Sequence, residues 1–185
     1  MHRTVTSACI AVAFTALATA NSLHAQDASA GLRADLLHDI GVLEQKVVSL
    51  AEAMDESQYD WRPMEGVRSV RDVYLHVAGT NFFFPTLAGV AAPGSSSITG
   101  NYSTVEAFEA AGGTKEHVVA SLRASFTHLR DALEQTTDFE RMVNLFGRRA
   151  SVRAVWLETV THIHEHLGQS VAYARANHVV PPWSR

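Results

Sequence analysis

The feature that most limits the fold of this chain is a helical repeat of apolar residues, which recurs in four segments separated by turn-forming residues. Apolar side chains return every three or four positions in each segment, as they do on the buried face of a helix. The four predicted helices cover about residues 32–54, 70–84, 114–135 and 151–177. No series of segments alternates apolar and polar residues as strands do. We therefore predict an all-α protein, a four-helix bundle, whose facing helices can hold a metal site at the core or at one end.

Residues that cap helices mark several of these boundaries. Ser69, with Asp72 three positions later, resembles a capping box and predicts the start of the second helix. A similar signal, Ser103 with Glu106, predicts a short additional helix before the third long one. The Pro-, Gly- and Ser-rich stretch at residues 91–100 is the longest flexible connection and a candidate lid or rim for a site.

The N-terminus has the organisation of a secretory signal peptide. Arg3 supplies a basic start, and no Asp, Glu, Lys or Arg follows from Thr4 to Gln26. An apolar run occupies Ile10 to Ala20, as expected for the central region of such a peptide. We therefore expect an exported protein, either periplasmic or secreted.

The cleavage site has two candidate positions. Cleavage after Ala20 or after Ala25 would leave small residues at the cut, and the second is preferred because a polar stretch follows it. We assign residues 1–25 to the signal peptide and residues 26–185 to a single domain. An uncleaved anchor is the alternative, but a span needs about 20 apolar residues and this segment is only marginally long enough. After cleavage we expect no stable membrane insertion.

The composition of the mature chain excludes some functions. Removing residues 1–25 takes away one base, Arg3, and no acid, so 14 basic residues face 19 acidic ones. Such a chain lacks the basic stripe that binds phosphate backbones, and we expect no nucleic-acid partner. Cys9 is the only cysteine and leaves with the signal peptide, so any metal chemistry depends on histidine and carboxylate ligands. About 160 residues suffice for one domain with a core.

Two histidines of the last predicted helix are the strongest candidate ligands. His162 and His166 lie four positions apart, so their side chains share one helix face. Together they can hold a divalent ion if another helix supplies a third ligand. His164 lies about 200° around the helix from His162 and cannot share that site. His38 and His76 are ambiguous, since each is best interpreted from the residues alone as a core histidine, and spacing cannot join His76 to His162.

Two blocks of the sequence resemble the DinB/YfiT-like family of metalloenzymes, and the resemblance covers nearly the whole mature chain. The blocks are Trp61-Arg62-Pro63 with Ser69-Val70-Arg71 and His76, and His162-x-x-x-His166-x-Gly168-Gln169. The resemblance implies a three-histidine metal site of His76, His162 and His166 inside a four-helix bundle. The chain departs from the family in having Leu167 where many members carry Arg, and in its signal peptide, since many relatives are intracellular.

A metal held by three imidazoles keeps open positions for other ligands. Such a site can activate water, which predicts a metal-dependent enzyme of the hydrolase type acting on a small molecule. The family also implies an alternative, a thiol-dependent transferase or isomerase. Two further classes stay open: a non-catalytic module that binds a metal or ligand, and a structural bundle, which could form a homodimer. Zinc or nickel is the preferred divalent transition metal, while iron and manganese also accept imidazole.

Polar residues beside the histidine pair are candidates for supporting roles. Glu158 precedes His162 by one turn and is a candidate to orient it. Glu165 borders the same face and is a candidate catalytic proton acceptor. Gln169, three positions beyond His166, is a second candidate catalytic residue that could donate to a bound oxygen or instead link this helix to a neighbour. Gly168 is expected to permit close helix approach, because a glycine within a helix costs about 1 kcal/mol relative to alanine.

Overall fold

The computed structural model describes the backbone of residues 6–184 and the side chains from residue 28 onward. Within this range the chain forms five α-helices and one pair of strands. The elements are α1 (Thr6–Ala53), α2 (Val70–Leu87), α3 (Ser103–Ala110), α4 (Lys115–Gln135), β1 (Met142–Leu145), β2 (Arg148–Ser151) and α5 (Val152–Ala176). The chain divides into two compact units, one ending at Asp35 and one beginning at Leu36. The packing and the candidate site described below belong to the second unit.

The first helix begins well before the predicted start near Leu32. The backbone is helical from Thr6, so α1 runs through both candidate cleavage positions. Residues 1–5 of the predicted signal peptide lie outside the described residues, and its cleavage and export stay predictions. Among the described helices, none is long and apolar enough to cross a membrane.

The predicted four-helix bundle is confirmed in the second unit, where α1 from Leu36 is joined to α4 by the ion pairs Glu44–Arg130 and Glu52–Arg123. α2 lies at the centre, in contact with α3, α4 and α5. The face of α1 predicted from the apolar repeat is buried, including Leu36, Ile40, Leu43, Val47 and Leu50. Matching apolar faces on α4 and α5 complete the core. The bundle thereby fixes α2 and α5 as neighbouring supports for side chains that point between them.

The capping prediction is confirmed for α2 and wrong for α3. The hydroxyl of Ser69 accepts a hydrogen bond from the Asp72 backbone at 3.2 Å, and the Asp72 carboxylate accepts from the Ser69 N–H at 2.9 Å. Ser103 is instead the first helical residue of α3, after Tyr102. Its N–H donates to the side chain of Asn101 at 3.1 Å, so a loop amide satisfies this end of α3 in place of the predicted cap.

The stretch expected as a polar loop before α5 contains a β-hairpin. β1 and β2 are antiparallel, and Leu145 pairs with Arg148 across a two-residue turn of Phe146 and Gly147. Each strand has only four residues, which is too short for an alternating pattern to stand out in the sequence. Ser151 closes β2 and also caps α5 by accepting a hydrogen bond from the Ala154 N–H at 3.3 Å, at the predicted start of the last helix.

The close helix approach expected at Gly168 occurs instead at Gly79. A Cβ atom at Gly168 would have no neighbour within 4 Å, because that position faces outward. A Cβ atom at Gly79 would lie 3.1 Å from Val105 and 3.3 Å from Phe108, both on α3. Gly79 therefore allows α3 to pack closely on α2.

Candidate metal centre

Three histidines from two helices converge between α2 and α5. His76 projects from α2, and His162 and His166 project from consecutive turns of α5. One ring nitrogen from each lies within 4.8 Å of the other two. The Nε2 atoms of His76 and His162 are 3.2 Å apart. A tetrahedral zinc ion with Zn–N bonds of about 2.0–2.1 Å would hold its nitrogen ligands about 3.3 Å apart, so this pair matches the spacing of metal ligands.

The three ligands differ in their access to solvent. His76 is 3% exposed and His166 is 8% exposed, whereas His162 is only partly buried. His162 also carries an aromatic neighbour, since the Phe84 ring lies edge-on to it with centroids 5.4 Å apart. Of the three rings, His162 therefore has the most contact with solvent.

A carboxylate orients His76 from outside the cluster. Its Nδ1 lies 3.2 Å from the Oε2 of Glu109, on α3, and the other oxygen of Glu109 accepts from the Arg68 Nε at 2.6 Å. An ionised carboxylate only accepts hydrogen bonds, so Nδ1 carries the proton and Nε2 directs its lone pair toward the other histidines. Burial acts to raise the pKa of Glu109, but its hydrogen bonds to His76 and Arg68 outweigh burial and lower the pKa overall. Glu109 is thus held as a carboxylate.

A second chain of hydrogen bonds orients His166. Its Nδ1 lies 2.8 Å from the amide oxygen of Gln169, and the amide nitrogen of Gln169 donates to the Tyr173 hydroxyl at 3.0 Å. That hydroxyl donates in turn to the backbone oxygen of Arg68 at 3.3 Å. With the amide oxygen as acceptor, the proton of His166 is on Nδ1, and Nε2 presents a lone pair to the cluster.

The electrostatics favour neutral imidazoles. Burial, together with the electrostatic effects of the nearby His166, His76 and Arg68, lowers the pKa of His162 to about 3. Burial also lowers the pKa of His166, although its hydrogen bond to Gln169 opposes the shift. Lone pairs from at least two rings thus face one point without competing protons, which is the donor arrangement that a divalent transition metal requires. The residues present fit such an ion.

His162 differs from its two partners in its outer nitrogen. Its Nδ1 is buried, and no group among the described residues forms a hydrogen bond with it. A buried polar atom of this kind is uncommon in folded proteins. The three ligands are therefore supported by a carboxylate, by an amide and, at His162, by ring packing alone.

The structure brings together the three predicted ligands and separates the predicted carboxylates from them. Glu165 is exposed, and within the described residues it forms no hydrogen bond to a cluster histidine, although its charge acts to raise the pKa of His166. Glu158 is also exposed on α5. His164 points outward as predicted, with its Nδ1 3.0 Å from the Val160 carbonyl oxygen. The core position expected for His38 is wrong, because the side chain lies on the exposed face of α1.

Sequence reasoning missed Glu109 and Arg68. Glu109 lies on a different helix from the ligand it orients, and no helical spacing links positions 33 residues apart. Arg68 stands directly before the Ser69 cap of α2, where it looks like a loop cation. A buried histidine needs a partner for its second nitrogen, but the sequence does not indicate which acid supplies it.

Two surface depressions of the described residues lie away from the histidines. One, of about 440 Å³, is lined by hairpin residues, and another, of about 330 Å³, is lined by α1 and Arg123. Neither is lined by a histidine of the cluster, so the candidate site is identified by the convergence of the ring nitrogens and not by a cavity. The predicted pocket between the metal and the segment 91–100 stays a prediction. The first ring after that segment, Tyr102, packs edge-on against Phe83 with centroids 5.5 Å apart.

Comparison with solved structures identifies the same bundle in two bacterial proteins. A DinB-like protein from Bacillus cereus superposes with a TM-score of 0.63 at 13% identity, covering 80% of this chain and 93% of its own. The DinB-like protein YjoA from Bacillus subtilis superposes with a TM-score of 0.61 at 19% identity, covering 79% and 93%. At these identities the likeness concerns the fold. No curated protein matches the chain. The family profile of the DinB superfamily matches residues 42–170, which includes all three histidines, and the chain belongs to that superfamily.

Proposed function

We propose that this protein is a metal-dependent enzyme that acts on a small molecule at the three-histidine cluster. The observation that carries the proposal is the convergence of the three ring nitrogens within 4.8 Å at a place that His162 leaves partly open to solvent. A divalent ion bound there would act as a Lewis acid and lower the pKa of a coordinated water molecule. Hydrolysis is the reaction class that this chemistry favours.

The surrounding residues support the proposal through what they do to the ligands. Glu109 and Gln169 hold the outer nitrogens of His76 and His166, which fixes the tautomer that leaves Nε2 free to bind. The structure places Gln169 as an acceptor for His166 and a donor to Tyr173, so its amide orients a ligand. The partly exposed cation Arg68 lies near the same cluster and is held there by Glu109. These contacts prepare the cluster for metal before any substrate is present.

Elemental analysis tests the metal site directly. Protein purified without an affinity tag is compared with the His76→Ala and His162→Ala variants and with a control, His117→Ala, whose side chain is exposed away from the cluster. We expect about one equivalent of zinc, nickel, iron or manganese in the wild type and the control, and loss of the metal in both cluster variants. Wild-type protein that also fails to take up added zinc or nickel would overturn the proposal.

Turnover is tested separately on the metal-loaded protein. A screen of ester, amide and phosphoester hydrolysis, run beside thiol-transfer reactions, distinguishes water activation from thiol-dependent chemistry. Activity that disappears in His162→Ala and persists in His117→Ala supports an enzyme. Stoichiometric retention of a small molecule without product would identify a binding module instead.

We also propose that the chain is exported, with residues 1–25 as the signal peptide. The support is the sequence pattern of a basic start, an uncharged apolar run and small residues at two candidate cleavage positions. Cell fractionation followed by N-terminal sequencing tests it. A mature start after Ala25, or after Ala20, in the periplasmic or secreted fraction is expected, and an intact N-terminus in the cytoplasm would contradict export.

A further inference from the structure

The tip of the β-hairpin carries a residue that its backbone conformation does not favour. Phe146 and Gly147 form the two-residue turn and have φ values of 51° and 86°. Hairpin turns with positive φ at both positions strongly prefer Asn-Gly or Asp-Gly. A bulky side chain in this left-handed region is a genuine outlier, and such strain concentrates at functional sites. Folding alone would favour asparagine at position 146.

Burial does not compensate for this strain. Phe146 remains 60% exposed, which makes it one of the most exposed large apolar residues among those described. It contacts two rings of α2, stacking on Phe83 with centroids 6.2 Å apart and meeting Phe84 edge-on at 6.1 Å. These contacts leave more than half of the side chain in water. A strained and exposed phenylalanine needs a reason other than stability.

One of the two rings that Phe146 contacts also contacts the histidine cluster. Phe84 contacts Phe146 on one side and the His162 ring on the other, with the centroids of Phe84 and His162 5.4 Å apart. Phe83 joins Phe146 to Tyr102, which is 38% exposed. We call Phe83, Phe84, Tyr102 and Phe146 the aromatic wall. Phe83 and Phe84 are buried, so the wall meets solvent through Phe146 and Tyr102.

We propose that the aromatic wall binds the apolar part, preferably an aryl group, of the small molecule whose polar group is held at the metal centre. This inference rests on the proposed function. We choose this occupant because the buried Phe84 ring contacts both His162 and Phe146, so the exposed face of Phe146 is one ring away from the cluster. Aromatic rings bind other rings through burial and through offset or edge-on stacking. Phe146 is therefore a specificity-determining residue, and the strained turn holds it at the entrance.

Two probes separate the metal contact from the wall. Acetohydroxamate and benzohydroxamate present the same chelating group to zinc and differ in a methyl against a phenyl group. Their binding to zinc-loaded protein is measured by calorimetry for the wild type, for Phe146→Asn and for Met142→Thr. Met142 is an exposed apolar residue of the same hairpin, at the end of β1 away from the turn, which makes it a matched control. Thermal unfolding of the three zinc-loaded proteins is followed in parallel.

We expect Phe146→Asn to weaken benzohydroxamate binding without lowering the unfolding temperature. Phe146→Asn should weaken benzohydroxamate binding by about tenfold, a difference of 1.4 kcal/mol in binding free energy, and leave acetohydroxamate binding unchanged. Its unfolding temperature should stay the same or rise, because asparagine suits the turn. Met142→Thr should change neither affinity. A side chain retained only to pack on α2 would instead give a less stable variant with both affinities unchanged.

Four results would overturn the inference. Equal affinities of wild type and Phe146→Asn for benzohydroxamate would show that the ring is not part of the binding site. Equal losses for both probes would place the effect on the metal centre. A dimer that dissociates on substitution, with both affinities retained, would identify the tip as a contact between two copies. Wild-type protein that binds zinc but neither hydroxamate would contradict the proposed function itself. Wild-type protein that binds acetohydroxamate as tightly as benzohydroxamate would contradict only the role of the aromatic wall.

Discussion

At the scale of single residues, the three ligands differ in how firmly they are held. His76 is oriented by the charged Glu109, which Arg68 holds in turn. His166 is oriented by the neutral amide of Gln169, and the outer nitrogen of His162 has no hydrogen-bond partner in the described part of the chain. Hydrogen bonds to charged groups are about twice as strong as those between neutral groups. We infer that His76 is the fixed ligand of the cluster and that His162, on the solvent side, has the most freedom to adjust.

The first prediction follows from the support of His76. Glu109→Gln should weaken zinc binding about tenfold, because the amide carries no charge to hold the Nδ1 proton and loses the ion pair with Arg68. Affinity is measured by competition with a chromophoric chelator, and circular dichroism confirms that the variant is folded. Glu165→Gln is the control, since Glu165 is exposed on the ligand helix. The same zinc affinity in both variants would show that Glu109 does not act through His76.

At the scale of helices, the two interior glycines have opposite roles. Nothing lies within 4 Å of a Cβ atom at Gly168, whereas a Cβ at Gly79 meets Val105 at 3.1 Å. Alanine is favoured over glycine inside a helix by about 1 kcal/mol when the surroundings permit it. Position 79 permits it only if the Val105 and Phe108 side chains give way by a few tenths of an ångström, and both lie on α3, which carries Glu109.

The second prediction compares these two glycines. Gly168→Ala should raise the free energy of unfolding by up to about 1 kcal/mol, through helix propensity alone. Gly79→Ala should lower it and also weaken zinc binding, since α3 and Glu109 would shift away from His76. Urea denaturation and zinc titration of both variants measure the two effects. A Gly79→Ala protein with undiminished stability would contradict the close packing of α2 and α3.

The long helices and the ligand pair are the parts of this protein that a sequence reveals. The repeat of apolar residues in α4 and α5 and the four-residue spacing of His162 and His166 are local patterns, so geometry alone predicts them. His76 joins them only through the resemblance to known proteins, because its distance along the chain carries no geometric signal. The contact of Glu109 with His76 joins two different helices, so no local sequence pattern predicts it. The hairpin is also not predicted from the sequence, because its turn has Phe146 at the position where the typical turn sequence has asparagine.

At the scale of the whole molecule, a bound metal would connect elements that are distant in the chain. Its ligands come from α2 and α5, and Glu109 extends the connection to α3. A preformed site of this kind is lost on unfolding, so metal binding contributes to the stability of the fold. The cluster is thereby a link between the central helix of the bundle and the helix that follows the hairpin.

The third prediction measures this link. Zinc at one hundred times its dissociation constant should stabilise the metal-free protein by about 2.7 kcal/mol, if unfolded chain binds none. For a domain of this size the unfolding temperature should rise by about 5–10 °C. Differential scanning fluorimetry with and without zinc gives the shift, and His76→Ala should remove it. A shift of the same size in His76→Ala would mean that zinc binds elsewhere.

The last prediction concerns acid and the metal-free protein. Burial and the neighbouring His166, His76 and Arg68 together lower the pKa of His162 to about 3 in the fold, whereas an unfolded histidine titrates near 6.5. Between these values the unfolded chain binds more protons than the folded one, so the free energy of unfolding should fall as pH falls below about 6.5. His162→Gln removes this contribution and should flatten the dependence measured by urea denaturation between pH 7.5 and 5. Part of the slope should survive, because burial also lowers the pKa of His166 and of His128 on α4. An unchanged slope in His162→Gln would show that its ring is not held neutral in the folded cluster.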